Sequence, residues 1–221
     1  NLTKQSYIEK GVIDDTIAQN ENTSILINDD ENICIVLNSQ DHIEIQVFNS
    51  GMELESTFNL AREIDNKFEE IFDIAKSKKY GYLTSSPLDV GTGLKAEVTI
   101  HLPGLTMTGN IRKIATAMNN LGVSFSSKYV SGMENIGDIY KIRNKQTLGI
   151  SEDTIIKNIK AISEKIIEQE RAARNILGKN QIELEDMVYR NLGTLVNARK
   201  LKWKESLKKK EENLLQLFHM N

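Results

Sequence analysis

Residues 81–103 read GYLTSSPLDVGTGLKAEVTIHLP and hold more structural information than any other stretch of the chain. A short apolar run is followed by a Ser-Ser-Pro turn, a Gly-Thr-Gly loop and a segment in which every second residue is apolar. This alternation predicts a β-strand whose buried face carries Ala96, Val98, Ile100 and Leu102. The Gly-Thr-Gly loop by itself specifies no ligand, because glycine pairs occur in many turns.

Short β-rich runs and amphipathic helices flank this segment on both sides. Residues 1–22 are polar and weakly patterned, and we expect them to lead into the fold. Acidic and amide clusters separate the first three β-rich runs, which predicts an antiparallel meander. Apolar residues at three- and four-residue steps predict a helix of about six turns from Glu53 to Ala75. The predicted strands are 24–27, 33–37, 43–48, 82–84, 95–102, 123–130 and 136–142.

Further helices are predicted in the second half of the chain. Pro103 closes the strand before it, and Thr108 is a candidate N-cap for a helix that stops at Gly122. Ser151 is a candidate cap for a long helix that ends at Gly178, and another helix follows from Ile182 to about residue 200. The combination predicts an α+β fold, an antiparallel sheet flanked by helices, with a helical C-terminus.

The domain organisation is expected to be simple. We predict one domain over residues 1–200, with residues 145–151 as the only candidate boundary, and a lysine-rich tail over residues 201–221. The tail is expected to be helical or disordered, with solvated lysines and a frayed end. A helix that docks onto a partner is the alternative, because the tail ends in leucines and a phenylalanine.

Composition narrows the class of protein. The chain has 221 residues and a net charge of -3, which gives no reason to expect binding to nucleic acid or to an anionic membrane. No apolar run approaches the roughly 20 residues of a membrane span. One cysteine, Cys34, excludes an internal disulfide and fits a reducing cytoplasm. Because the chain starts at Asn1 rather than Met, we expect a fragment or a processed chain.

The segment at 81–103 resembles the signature of ATP:guanido phosphotransferases, most closely that of the bacterial protein-arginine kinases, which reads T-S/x-C-P-x-N-x-G-T-G-L-R. Here Ser86 stands at the position of the reactive cysteine and Lys95 at that of the phosphate-binding arginine. The resemblance implies a guanido kinase, glutamine synthetase-like catalytic domain. It also implies ATP and magnesium as ligands and, as family reaction, phosphoryl transfer from ATP to arginine side chains of proteins.

Two further motifs carry the same resemblance. Residues 38–46 read NSQDHIEIQ and are similar to the family motif N-E-E-D-H-x-R-I-Q. In this alignment the family's catalytic carboxylate falls on Gln40 and a phosphate-binding arginine falls on Glu44. Residues 126–134 are similar to R-G-x-Y-G-E-G-S-E, so the transition-state arginine falls on Ser126, while Glu134 remains. The nucleotide-contacting histidine of the family falls on Gly11. Four positions are catalytic by resemblance: Gln40, Ser86, Ser126 and Glu134. Positions that contact the nucleotide by resemblance are Gly11, Glu44, Lys95, Ala96, Glu97, Val98, Thr99, Ser126, Ser127, Lys128, Tyr129, Val130 and Ser131.

These substitutions remove the chemistry that the family reaction requires. A carboxylate must hold the acceptor guanidinium and accept its proton, and guanidinium groups must stabilise the phosphate oxygens. An amide such as Gln40 cannot take the proton, Glu44 reverses a charge, and Lys95 lacks the bidentate fork. The family's N-terminal arginine-rich segment and its C-terminal segment are not found within residues 1–221, and none of the arginines in this range lies at a family phosphate position.

We therefore expect a degenerate protein-arginine kinase domain, a pseudokinase that acts as a regulatory or binding module. The alternative is an active ATP:guanido phosphotransferase that uses Lys95 and Lys128 or a missing N-terminal segment. A third hypothesis is an adaptor whose C-terminal tail docks a partner. ATP and magnesium are expected if nucleotide binding survives, and no metal site made by protein side chains is expected. The expected partners are protein substrates, an active arginine kinase or a stress-response regulator, and a second copy of the chain.

Overall fold

A computed structural model describes residues 6–8, 12–13, 15–131, 134–197 and 199 of the chain. Packing divides the chain into two compact units, 1–94 with 146–156 and 95–145 with 157–221. The expectation of one domain over residues 1–200 stays a prediction. The tail at 201–221 lies outside the described residues. None of the helices within the described ranges is long and apolar enough to cross a membrane.

The first unit contains the predicted meander. Strands β1 (Ser24–Ile27), β2 (Ile33–Leu37) and β3 (Ile43–Val47) pair antiparallel in the order β1-β2-β3. Cys34 and Val36 in β2 are completely buried. The meander prediction is confirmed, with β3 ending one residue before the predicted limit.

The residues before the meander do more than lead into it. Val12 and Ile13 are 5% and 4% exposed and form one core cluster with Cys34 and Val36. A short helix, α1 (Asp15–Gln19), follows and packs Ile17 against the same cluster. Two adjacent apolar residues carry no periodic signal, which is why the sequence did not indicate this packing.

The helix that follows is shorter than predicted. Helix α2 (Leu54–Ile71) ends where Phe72 turns to extended backbone, rather than at Ala75. The Ala75 carbonyl oxygen instead accepts a hydrogen bond from the Leu83 amide at 2.8 Å. This bond extends a small hairpin formed by β4 (Lys76–Ser77) and β5 (Gly81–Tyr82), so tertiary pairing overrides helical periodicity at this point.

The second unit is built on a three-stranded antiparallel sheet. Strands β6 (Glu97–His101), β7 (Val123–Ser131) and β8 (Glu134–Asn144) are arranged in the order β6-β8-β7. All three were predicted, with slightly different limits. Ile142 and Tyr140 in the central strand are buried, and the Tyr140 ring stacks on Phe125 with 5.0 Å between ring centroids.

Two short helices connect β6 to β7, where one was predicted. Pro103 does close the strand, but it also starts α3 (Pro103–Met107) as the proline of its first turn. The assignment of Thr108 as an N-cap is wrong, since Thr108 ends α3 and its hydroxyl donates to the Gly104 carbonyl oxygen at 2.8 Å. Helix α4 (Ile111–Asn120) begins after Asn110, and Gly122 follows it with φ +71°, as a helix stop requires.

The predicted C-terminal helices are confirmed. Ser151 caps α5 (Glu152–Leu177) by accepting a hydrogen bond at Oγ from the Thr154 amide at 3.3 Å. A 3-10 turn (Gly178–Asn180) separates α5 from α6 (Gln181–Asn197). Helices and antiparallel sheets together confirm the α+β class, with the strands of the described ranges distributed over three sheets.

Candidate active site

The Gly-Thr-Gly loop is held by a close approach of two backbone segments. The Tyr82 amide donates to the Gly91 carbonyl oxygen at 2.8 Å, and the Gly91 amide donates back to Tyr82 at 3.2 Å. Gly81 and Gly91 have φ of +76° and +120°, and a Cβ at Gly81 would collide with the Gly91 carbonyl oxygen. Glycine is therefore required at both positions for steric reasons, independently of any ligand.

A buried threonine from later in the chain closes this loop. The Thr147 hydroxyl lies 3.0 Å from the Leu88 carbonyl oxygen and 2.8 Å from that of Val90. The Thr147 carbonyl oxygen accepts a hydrogen bond from the Thr92 amide at 3.0 Å. Thr147 therefore fixes the Gly-Thr-Gly loop through both its side chain and its backbone.

Ser86 occupies the first position of a tight turn. Its carbonyl oxygen accepts hydrogen bonds from the Asp89 amide at 3.0 Å and from the Thr84 hydroxyl at 2.8 Å. A serine hydroxyl ionises far above neutral pH, so it supplies no thiolate-like nucleophile. The position thus keeps a turn geometry while its side chain lacks the chemistry of a cysteine.

The structure brings Gln40 next to this turn. The Ser85 hydroxyl donates to the Gln40 carbonyl oxygen at 2.5 Å, and the Ser85 amide donates to Asp41 Oδ1 at 2.7 Å. Sequence reasoning did not identify Ser85 and Asp41 as the residues that join the two motifs. The available signal was the Asp41 carboxylate next to the predicted site residue Gln40. Its partner Ser85 lies 44 residues further along the chain and could not be inferred from the local sequence.

Glu44 lies on the same face of the meander as the buried Cys34, whose register partner is Gln46. The Glu44 carboxylate accepts hydrogen bonds from Gln46 Nε2 at 2.8 Å and from the Ser39 hydroxyl at 3.4 Å, both neutral donors. Burial, aided by the nearby Glu44 charge, raises the pKa of Cys34 to about 11. Cys34 is therefore a neutral, unreactive thiol at physiological pH.

The predicted nucleotide positions of β6 divide between the two faces of the sheet in the second unit. Ala96 is 5% exposed, and its amide donates to Asn144 Oδ1 at 2.8 Å. Val98 pairs with the buried Ile142 on that same face. Glu97 and Thr99 point to the opposite face, because successive residues of a strand alternate.

The predicted positions of β7 also lie on this sheet. Ser126 is exposed and pairs with Lys141 of β8, and Ser127 pairs with Tyr140. The Lys128 ammonium lies 5.4 Å from the centroid of the Tyr129 ring. Of Val130, Ser131 and Glu134 only the backbone is described, with Val130 opposite Asn135 and Ser131 opposite Glu134. Gly11 lies outside the described residues.

Two cations that sequence reasoning missed lie on the central strand of this sheet. Lys141 Nζ is 3.2 Å from Glu97 Oε1, and Arg143 Nε is 3.3 Å from Glu97 Oε2. Neither residue belongs to a quoted motif. The alternation of residues along β8 indicated that Lys141 and Arg143 share one face of the strand. Placing both side chains beside Glu97 also required the register of β8 with β6 and β7.

Comparison with known proteins assigns the family. Residues 1–173 match the family model of the ATP:guanido phosphotransferase C-terminal catalytic domain. This chain belongs to the ATP:guanido phosphotransferase family. The assignment confirms the resemblance seen in the sequence.

Curated relatives include protein-arginine kinases of bacteria. The protein from Halothermothrix orenii is 41% identical over 94% of this chain, and the one from Bacillus pumilus is 42% identical over 94%. The chain covers 60% and 57% of these relatives, so it spans less than two thirds of their length.

Solved structures of the family share the fold. A duplicated taurocyamine kinase from Schistosoma mansoni with bound transition-state analogue components matches 77% of this chain and 25% of its own length, with a TM-score of 0.65 and 21% identity. A lombricine kinase matches 77% of this chain and 51% of its own, with a TM-score of 0.63 and 19% identity. These likenesses confirm the predicted guanido kinase fold.

In the second unit, a buried carboxylate holds the start of α3 in place. The buried Glu170 carboxylate accepts hydrogen bonds from the amides of Gly104 and Leu105, both at 2.9 Å, at the start of α3. Arg174 Nε lies 2.6 Å from Glu170 Oε1. Burial, together with the Arg174 charge, lowers the pKa of His101, which keeps its imidazole neutral at physiological pH. This anchor fixes backbone geometry and needs no ligand.

Within the described ranges, no group of three or more His, Cys, Asp or Glu side chains could hold a metal ion. Magnesium bound with a nucleotide takes most of its oxygen ligands from phosphates and water.

Proposed function

We propose that this chain is a degenerate protein-arginine kinase domain, which keeps the family fold but transfers no phosphate to arginine and acts as a regulatory or binding module. The family reaction joins ATP and a protein arginine to give ADP and a phosphoarginine protein. The curated relatives carry the name protein-arginine kinase. Because the chain spans less than two thirds of the length of these relatives, the absence of phosphate transfer by the whole protein is part of this proposal.

Glu44 carries the proposal. A carboxylate stands where the resemblance places a phosphate-binding arginine, and its described partners, Gln46 and Ser39, are neutral. Placed against a triphosphate in a partly desolvated site, that charge is repulsive by about 4 kcal/mol at 4 Å. Such a residue opposes the ligand that an active enzyme must hold.

Gln40 and Ser126 support the same conclusion. The Gln40 amide cannot accept the proton of the attacking guanidinium, and the Ser126 hydroxyl cannot neutralise the transferring phosphoryl group. Loss of one such group typically lowers the rate by about a hundredfold to a thousandfold. Several losses leave little transfer even when their effects are far from additive.

The alternative function is an active phosphotransferase that uses Lys95 and Lys128 in place of arginines. One observation favours it, the positive charge of Lys95 at a family arginine position and of Lys128 two residues after the position of the transition-state arginine. Against it, the Lys128 ammonium lies over the Tyr129 ring, and an ammonium lacks the planar fork that holds two phosphate oxygens. An adaptor function of the tail at 201–221 lies outside the described residues.

The ligands and partners follow from this proposal. If nucleotide binding survives the substitutions, ATP with magnesium is the ligand, while protein substrates, an active arginine kinase or a stress-response regulator are the partners. A homodimer and a cytoplasmic location complete the proposal. The single cysteine, which cannot form an internal disulfide, fits a reducing compartment.

Transfer of labelled phosphate tests the proposal. The full chain is incubated with γ-labelled ATP, magnesium and a denatured protein substrate, and acid-labile phosphoarginine is measured against a heat-inactivated sample. We expect no signal above that control. Phosphoarginine above the control, lost in Lys95→Gln, would establish the active alternative. A triple variant, Q40E with E44R and S126R, restores three of the substituted family residues and is expected to gain signal over wild type.

A further inference from the structure

One face of the β6-β8-β7 sheet is polar and open to solvent. Thr99 of β6 and Ser126 of β7 are exposed, and both pair with Lys141 of the central strand from opposite sides. Arg143, one step along β8, pairs in the same way with Glu97 and Ser124. We call this surface the open sheet face, and it consists of Glu97, Thr99, Ser124, Ser126, Lys141 and Arg143.

The open sheet face carries two cations and one carboxylate. Each oxygen of Glu97 contacts a different cation, Oε1 with Lys141 at 3.2 Å and Oε2 with Arg143 at 3.3 Å. One carboxylate cannot neutralise two cations, so the cluster keeps a net positive charge. Partly exposed ion pairs of this kind contribute about 0–1 kcal/mol to stability, so stability alone gives little reason for the cluster.

Arg143 keeps N–H donors beyond its contact with Glu97. The contact with Glu97 uses Nε, and the two terminal amino groups together carry four further N–H donors. The side chains of Arg143 and Lys141 are 44% and 33% exposed, so an anion in solution can reach them. An arginine fork and an ammonium are the side-chain groups that bind phosphate oxygens most strongly.

Hydroxyl groups complete a set of donors on both sides of Lys141. Thr99 and Ser126 each supply one O–H donor, one strand away from Lys141 on either side. Neighbouring strands lie about 4.8 Å apart, so these hydroxyl groups frame a span of roughly 10 Å. That span matches a chain of linked phosphates better than a single small anion.

We propose that Lys141 and Arg143 bind the phosphates of a nucleotide in this chain, and so supply the positive charge that Ser126 on the same sheet face does not. Neither residue occupies a position that the family resemblance marks for the nucleotide. The inference deepens the proposed function and rests on it, because it assigns a polyphosphate ligand to a domain that transfers no phosphate. The net charge of the cluster makes binding weaken as salt concentration rises.

Calorimetric titration of the full chain tests the inference. Two probes are used, Mg-ATP and inorganic tripolyphosphate, so that phosphate binding is measured apart from binding of the base. We expect K141Q and R143Q each to raise the Kd for both probes about tenfold, as loss of one charge-assisted contact of about 1.4 kcal/mol predicts. E97Q is expected to lower the Kd, because it removes the negative charge that opposes the phosphates.

A matched control separates a local effect from a general change in charge. Arg190 on α6 forms an exposed ion pair with Asp186 at 2.7 Å, and R190Q is expected to bind both probes within twofold of wild type. Thermal unfolding midpoints of all variants check that each is folded. Titrations in 50 mM and 300 mM salt check the sign of the charge effect.

The outcomes distinguish this inference from the proposed function. If wild type gives no binding to tripolyphosphate, or if K141Q with R143Q binds as R190Q does, the assignment of these two residues is wrong. The proposal that the domain transfers no phosphate would then still be tested by the phosphoarginine measurement alone. If wild type forms phosphoarginine while the double variant loses tripolyphosphate binding, the proposed function is wrong and the assignment of Lys141 and Arg143 stands.

Discussion

The two faces of the β6-β8-β7 sheet differ in what holds their residues in place. On one face, Ile142 and Tyr140 are buried, and Phe125 stacks on the Tyr140 ring. On the open sheet face, Thr99 and Ser126 contact solvent. Any polar change on the buried face costs packing energy, whereas a substitution at an exposed position of the open sheet face costs little stability. Side chains on the open sheet face can therefore change while the buried face keeps the fold.

The largest effect on stability is expected at Glu170, a buried carboxylate in the interior of the second unit. Replacing Glu170 with Ala leaves two amide donors and Arg174 without their acceptor, so we expect the free energy of unfolding to fall by about 3–5 kcal/mol. Urea denaturation followed by circular dichroism measures it. Glu168→Gln, an exposed carboxylate on the same helix, is the control and should change the value by less than about 0.5 kcal/mol.

The buried face itself is tested at Ile142. Ile142→Ala opens a cavity at a fully buried position and should lower the free energy of unfolding by about 2–5 kcal/mol. Ile176→Ala removes the same atoms from a side chain that is 61% exposed and should leave the urea midpoint nearly unchanged. Equal losses in the two variants would contradict the burial contrast.

Burial of Cys34 in the meander predicts that the free energy of unfolding depends on pH. The pKa of Cys34 is raised to about 11 in the folded protein, from an ordinary value of 9.0, chiefly by burial. Between pH 9 and pH 11 the unfolded chain loses the thiol proton first, so the stability that this group contributes is complete below pH 9 and falls as pH rises. Urea midpoints of wild type and Cys34→Ala, measured at pH 8, 10 and 11, should converge with increasing pH. Parallel curves would show that the thiol does not titrate in this way.

The smallest effect on stability is expected on the open sheet face. Lys141→Gln removes one partly exposed ion pair with Glu97, so the free energy of unfolding should change by less than about 0.5 kcal/mol. The same variant is expected to weaken tripolyphosphate binding tenfold. A large loss of stability in urea denaturation would instead assign Lys141 to the framework.

Much of the fold was predictable because its signals are local. The alternation in 95–102, the turn chemistry between the first three strands and the cap at Ser151 each lie within a few residues. Helix α3 (Pro103–Met107) was missed because it is five residues long, and its amides bond to Glu170 from 66 residues away. The burial of Val12 and Ile13 was missed for the same reason, since it depends on partners in β2.

The candidate site was predictable only where motifs mark it. The resemblance placed Gln40 and Ser86 in two separate motifs, and Ser85 joins those motifs in the structure. Lys141 and Arg143 lie outside every motif, and their position beside Glu97 follows from strand register, which the sequence of β8 alone does not encode. Which residues of a strand face a ligand therefore has to be taken from the paired sheet.

Thr147 has a consequence for how the chain folds as it is synthesised. Its hydroxyl closes the loop at Val90 from 57 residues further along the chain, so this loop cannot be completed until residue 147 has left the ribosome. Contacts of such long sequence separation must offset the entropy of closing a large loop, and they slow folding. During that interval the Gly-Thr-Gly loop lacks the hydrogen bonds from Thr147 that close it in the folded protein.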